Sequence, residues 1–328
     1  MSEKMSEVYE AYDMEILGAV RGRGSMILKT DRGIRQISPF DGSEERLAQE
    51  REFKENLYET GFHHIDCCVP NREGELITCD RYGNPYVMRE YFEGRECNSG
   101  SICDLNQAAA NLAVFHIRGR ELYAKEGRTY AYREPGNFRR KTQEMKKIRS
   151  FISKRPTKND FELLYIEAYD AFYRQAIDCQ AMMDACDRTN IAGHIGYCHG
   201  AYNYHSVLFC GGYLATVNFD RFHVGYQLID LYQFIRKVME KNNYNFDMAV
   251  KIIEEYDRIL PLTREDYRYI YILYSYPEKF WKVSNRYMNS RKCWISPANL
   301  EKLSKLITDE QEKQKFLSDF CNHYGFTS

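Results

Sequence analysis

Apolar residues along this chain follow two different rhythms. From Ile16 to about Tyr91 they come in short runs such as SMILKT and PYVMREYF, separated by the turn-forming stretches RGRG (21–24), TDRG (30–33), NREGE (71–75) and RYGNP (81–85). Gly and Asn accept the left-handed backbone of tight turns, so these runs read as antiparallel hairpins. One interruption keeps a helical period. In SEERLAQEREFKENLYETG, Leu47, Glu50, Phe53, Lys54 and Leu57 recur at three and four, Ser43 stands at the N-cap and Gly61 at the stop. After FEGREC the rhythm changes, and Leu105 to Leu122, Phe161 to Cys186, Leu228 to Met239 and Leu300 to Tyr324 all predict helices. Ile195 to Asp220 is the exception, where short apolar runs flank CGG at 210–212 and predict two small strands and a turn. The chain therefore reads as α+β, with a β-rich lobe over residues 1–91 and a mainly helical lobe over 92–328 that meet near Arg89 to Arg95.

Composition narrows the partners. With 328 residues, 44% of them hydrophobic, the chain can bury a substantial core, and 46 Lys plus Arg against 47 Asp plus Glu give no general attraction to nucleic acid or to an anionic membrane. No apolar run approaches the roughly 20 residues of a membrane span, and the opening MSEKMSEVYE is unlike a secretory signal, which predicts a chain made and kept in the cytoplasm. The 11 cysteines include an adjacent pair, Cys67 and Cys68, but no C-x-x-C, so a metal site is not expected and most read as small core residues. Cys179 and Cys186, seven apart, are expected to share one buried helical stripe. The stretch 139–155, RRKTQEMKKIRSFISKR, is rich in cations with a single Glu, a pattern that suits a solvated helix face or an acidic partner. RGRG reads as a hairpin turn with solvated arginines, since its spacing fits no phosphate-binding fingerprint.

A chemical pattern appears at HGAYNYHSVLF (199–209), followed by TVNFD and QLIDLYQFIRK. It resembles the catalytic segment of aminoglycoside phosphotransferase and choline kinase-like proteins, whose pattern is H-G-D-x-x-x-x-N, a strand, D-F-D, and a D-L pair opening a helix. His199, Gly200, Asp220, Asp230 and Leu231 match it in place. With GSEERL, ETGFHHI, REYFEGREC, LAVFH and abundant tyrosine, the chain is similar to the CotS family of bacterial spore coat proteins within that superfamily. The resemblance implies a two-lobed protein-kinase-like fold.

It also exposes four departures. Phosphoryl transfer depends on positioned carboxylates, amides and ammonium groups. The proton-accepting carboxylate is replaced by Ala201, and losing a general base costs roughly two to four orders of magnitude. The metal-binding amide is replaced by Ser206 and the first carboxylate of D-F-D by Asn218, a poor set for magnesium, which favours carboxylate oxygens. In GIRQISPF the position of the strand lysine that grips phosphates falls on Ser38; Lys29 lies in the preceding strand, and its helix partner would be Glu50 or Glu52. His199 is implied to be structural, holding the loop by a hydrogen bond, and an active enzyme would need Asp220, His205 or Asn203 in new roles.

The expectation is a degenerate kinase fold acting as a structural or interaction component of the spore coat, with other coat proteins as partners, no catalytic or metal site, and no cofactor. The alternatives are a divergent small-molecule phosphotransferase using ATP and magnesium, and a nucleotide-binding pseudoenzyme. Among the 27 tyrosines, REDYRYIYILYSYPEKFW (264–281) is expected to turn Tyr267, Tyr271 and Tyr274 to the core and Tyr269 and Tyr276 to the surface.

Overall fold

The computed structural model describes residues 3–22, 24–127, 137–186, 192–289 and 297–326, and these form two compact units. The first takes in residues 1–128 and 196–224. After a short helix α1 (Glu3–Glu10) come β1 (Ile16–Arg21), β2 (Met26–Thr30) and β3 (Gly33–Pro39), then α2 (Glu44–Glu59), β4 (Cys68–Val69), β5 (Ile77–Cys79), β6 (Pro85–Glu90), β7 (Arg95–Glu96) and α3 (Ile102–Glu126). The later segment adds all but the first residue of β8 (Ile195–Cys198), β9 (Val207–Cys210), β10 (Tyr213–Thr216) and the start of β11 (His223–Tyr226).

The main sheet is antiparallel in the order β1-β2-β3-β6-β4, with β5 also on β6. Gly22 N–H closes the β1–β2 hairpin on Ser25 carbonyl, which agrees with a turn at RGRG; Arg23 lies outside the described residues. One face of the sheet buries Leu28, Ile37 and Met88 with Val8, Tyr9 and Tyr12; the other sets Val87 and Cys68 against Leu47 of α2. α2 follows the sequence closely: Ser43 Oγ accepts from Arg46 N–H, and its buried residues are Leu47, Glu50, Phe53, Lys54 and Leu57. A smaller sheet, β10-β9-β7, is built on the CGG turn.

The second unit takes in residues 129–195 and 225–328 and is helical: α4 (Phe138–Ser153), α5 (Asp160–Asp184), α6 (Leu228–Met239), α7 (Phe246–Ile259), α8 (Arg264–Ser275), α9 (Glu278–Met288), α10 (Pro297–Thr308) and α11 (Glu310–Tyr324). Three expectations are corrected here. Tyr269 and Tyr276 are buried, at 1% and 2% exposure: α8 packs against α5, α6 and α11 and so has no single inward stripe, while Tyr276, just past the end of α8, stacks on Phe138 at 4.0 Å and shares a hydrogen bond with Thr142 of α4. The predicted helix 300–324 is two helices, divided where Thr308 bonds back to Ser304 and where Asp309, Glu310 and Glu312 favour a new N-terminus. Cys179 is buried in α5, but Cys186 lies beyond the end of that helix and is half-buried.

The cations of 139–155 are in part committed within the unit. Arg139 pairs with Asp184, Arg140 with Glu144, Lys141 with Glu278 and Arg155 with Glu162, while Lys146 and Lys147 remain exposed. Six of the ten described cysteines are buried, and all ten are free thiols. Among the described residues no helix is long and apolar enough to cross a membrane.

Candidate functional site

α2 carries two charged residues on its buried side. The Lys54 side chain is fully enclosed, and its ammonium donates to Glu50 Oε1 at 2.7 Å, Asp66 Oδ1 at 2.7 Å and the Asp66 carbonyl at 2.8 Å. All three of its donors are thereby used. Glu50 is also gripped by Arg89 of β6, whose Nη1 and Nη2 lie 2.6 and 3.3 Å from its two carboxylate oxygens. The remaining oxygen of Asp66 accepts the Asn218 backbone N–H at 2.9 Å. Burial alone would drive Lys54 toward its neutral form, but the carboxylates of Asp66 and Glu50 outweigh it and hold the ammonium above its ordinary range.

Of the strand and helix candidates Ser38, Lys29, Glu50 and Glu52, Glu50 takes part in this network. Ser38 pairs with Val87 across β3 and β6, and Val87 packs on α2, so Ser38 sits on the α2-facing side of the sheet. It brings no charge there. The cation that meets Glu50 comes from Arg89, two residues farther along β6, whereas Lys29 is exposed on β2 and Glu52 is exposed on α2. Sequence reasoning missed Lys54, Asp66 and Arg89 as a group. One signal was present: Lys54 falls on the core spacing of α2 exactly one helical pair after Glu50, and a lysine there needs buried carboxylates.

The loop between β8 and β9 is held by its own polar groups. His199 is buried; its Nδ1 accepts the Ala201 N–H at 3.2 Å, which leaves Nε2–H to donate to the Val217 carbonyl at 3.0 Å. Gly200 has φ +78°, and a Cβ there would lie 2.0 Å from the Arg221 carbonyl oxygen, so the position admits only glycine. Ala201 offers the loop a methyl group. Ser206 Oγ accepts from Asn203 N–H at 2.9 Å and donates to the Asn203 carbonyl at 2.8 Å, while the Asn203 side chain bonds Ala201 carbonyl at 2.6 Å and His205 N–H at 3.0 Å.

His205 is exposed and pairs with Glu96 of β7 at 2.5 Å. Asn218 is exposed with φ +69°, and Phe219 after it is fully buried, its ring 5.1 Å below the Lys54 ammonium and 4.5 Å from His199. Asp220 is exposed, 3.7 Å from Arg89 Nη2. Asp230 is buried in the first turn of α6, in the other unit. Thus Ser38, Ala201, Ser206, Asn218, His199, Gly200 and Asp220 share one unit. Among the described residues no group of three or more His, Cys, Asp or Glu side chains is gathered as a metal's ligand set.

An antiparallel sheet with a helix packed on one face, a loop that turns at Gly200 and a helical part define the protein-kinase-like phosphotransferase fold. An aminoglycoside phosphotransferase from Alicyclobacillus acidocaldarius has the same architecture, with a TM-score of 0.79 at 16% identity over 96% of this chain and 95% of that one. A spectinomycin phosphotransferase, solved with ADP and spectinomycin, aligns with a TM-score of 0.64 at 10% identity over 94% and 97%. At those identities the likeness speaks for the fold alone.

The family model described as "Spore coat putative kinase YutH" matches residues 5–320, and the chain belongs to that family. It is also 29% identical to spore coat protein S of Bacillus subtilis (strain 168) over 97 residues, which is 29% of this chain and 28% of that protein's length. The kinship with spore coat proteins and the kinase-like fold expected from the sequence both stand.

Proposed function

We propose that this protein is a catalytically silent kinase fold that serves as a structural or interaction component of the spore coat, with other coat proteins as its partners. The observation that carries this reading is the condition of the carboxylates. Glu50 and Asp66 are already neutralised by Arg89 and Lys54, and Asp220, exposed on the loop, has the Arg89 guanidinium 3.7 Å away. A divalent cation bridging a triphosphate favours free carboxylate oxygens. Here Asn218 carries a carboxamide, the Ser206 hydroxyl is spent on Asn203, and Ala201 cannot take a proton from a substrate hydroxyl. The residues present do not fit a magnesium–nucleotide complex, and no step is assigned through one. Membership of the spore coat family and the likeness to spore coat protein S support the location and the class of partner.

Thermal unfolding with ATP, with and without magnesium or manganese, tests the site, because a ligand that binds the native state raises the melting temperature. No shift is expected. A metal-dependent shift with ATP consumption overturns the reading in favour of a phosphotransferase, and a shift without turnover overturns it in favour of a nucleotide-binding pseudoenzyme. Fractionation of purified spores tests the location, and absence from the coat fraction overturns the coat role.

A further inference from the structure

In the helical unit α4 and α5 pack side by side, each burying one face: Met145, Ile148 and Ile152 on α4, and Tyr165, Phe172 and Cys179 on α5. They run antiparallel, since Arg139 at the start of α4 pairs with Asp184 at the end of α5, and Arg155 just beyond α4 pairs with Glu162 in the first turn of α5. The Arg139–Asp184 pair is open to solvent and marks a seam where the two outer faces meet. Those faces carry apolar groups. Phe151 on α4 is 51% exposed, and Leu163 and Ile177 on α5 are 54% and 43% exposed; among the described residues of this unit no other large apolar side chain is as open. Apolar side chains gathered on one exposed surface mark a contact.

The charges on the two faces are opposite in sign. α4 presents Lys146 and Lys147, with Lys154 at its C-cap, and α5 presents Glu167, Asp170 and Asp178, with Arg174 as its one cation. None of these six groups makes an ion pair among the described residues. A second copy turned about a two-fold axis along the seam lays its α4 on this α5 and its α5 on this α4, so both contacts join cations to carboxylates. The heights also agree. Counted from the Arg139–Asp184 pair, Lys147 is level with Asp178 and Lys154 with Asp170 to within about 3 Å along the helices. Two helix widths of about 10 Å over the roughly 24 Å of α4 present about 500 Å² per partner, which reaches the lower limit of a specific interface.

We propose that the outer face of the α4–α5 pair is a self-association surface, on which two copies of this chain pair reversibly with α4 of each on α5 of the other. The proposal stands apart from the coat reading, because it concerns a second copy of this chain and is read on the purified protein.

Sedimentation velocity of the full chain at low salt, up to the hundred-micromolar range, is expected to show a monomer–dimer equilibrium that weakens as salt is added. Lys147→Glu with Lys154→Glu in one protein, and Asp170→Lys with Asp178→Lys in another, are each expected to weaken the dimer at least about tenfold, since like charges then face each other. All four positions are exposed, so both proteins are expected to keep the parent's melting temperature. An equimolar mixture of the two is expected to regain at least the parent's affinity, because both contacts of the mixed pair are again opposite in sign. A monomer at every concentration, a dimer that both reversed proteins retain, or no recovery on mixing would each overturn the assignment.

Discussion

The Lys54 ammonium lies 2.7 Å from Asp66 Oδ1 with no access to solvent, and the second oxygen of that carboxylate holds the backbone of Asn218. One buried carboxylate therefore ties the helix α2 to the segment that replaces D-F-D. An enclosed ion pair contributes little by existing but costs much when halved, since the survivor is left as an uncompensated buried charge.

Lys54→Met is accordingly expected to lower unfolding stability by about 3–5 kcal/mol, measured by denaturant unfolding at pH 7. The pH dependence has a definite sign. Because the folded protein holds the Lys54 proton more tightly than an ordinary lysine, its contribution is complete below about pH 10.4 and fades as the pH rises toward the folded value. A Lys54→Met protein whose stability matches the parent at neutral pH contradicts the network.

Gly200 and Gly61 separate two costs of a side chain. Both have positive φ, +78° and +92°, but a Cβ at Gly61 meets nothing within 4 Å, whereas at Gly200 it would overlap the Arg221 carbonyl. Gly61→Ala is expected to cost about 1 kcal/mol of backbone strain, and Gly200→Ala at least about 3 kcal/mol because strain and clash combine. Comparison of the two melting curves checks this; equal losses would mean the loop relaxes away from Arg221.

How much of this was legible beforehand varies with the kind of interaction. The buried face of α2 could be read because its five residues obey one local period and Ser43 caps it. The loop positions could be read because Gly200, Ala201 and Ser206 are fixed relative to one another by a few bonds. Asp66 was invisible, since its meaning comes from residues 12 positions before it and 152 after it, separations that no window covers. The cation that meets Glu50 was equally invisible: Ser38 pairs with Val87, and the charge comes instead from Arg89 on the neighbouring strand β6, 39 residues away from Glu50. Tyr269 was misjudged because one-sided amphipathicity fails for a helix covered by three others, and Tyr276 because the helix ends before it and its ring stacks on the distant Phe138.

Tyr274 gives a test with the opposite sign. Its hydroxyl is buried without a hydrogen-bond partner among the described residues, whereas the equally enclosed Tyr165 donates to the Met145 carbonyl at 3.0 Å. Removing an unsatisfied hydroxyl relieves a desolvation penalty, and removing a satisfied one strands its acceptor. Tyr274→Phe is expected to be neutral or to stabilise by up to about 1 kcal/mol, and Tyr165→Phe to destabilise by about 1 kcal/mol, both by chemical unfolding. A clear loss in Tyr274→Phe would reveal a bound water serving that hydroxyl.

In the helical unit the acid limb of stability is expected to depend on Asp266. Its carboxylate is 1% exposed and accepts from His194 Nε2 at 2.8 Å, Thr263 N–H at 2.7 Å, Thr263 Oγ at 2.8 Å and Tyr226 at 3.3 Å. Burial opposes ionisation, yet the His194 bond and charge, with the Thr263 donors, hold the carboxyl below its usual value. A depressed folded value means that the contribution is present above the unfolded pKa of about 3.9 and is lost as the pH falls through the folded one. Asp266→Asn is therefore expected to lose about 3 kcal/mol at pH 7, and the gap to the parent should close as the pH falls below about 4. Unfolding curves of both proteins between pH 3 and 7 decide the matter: a gap independent of pH would mean that the variant fails through shape and not through charge.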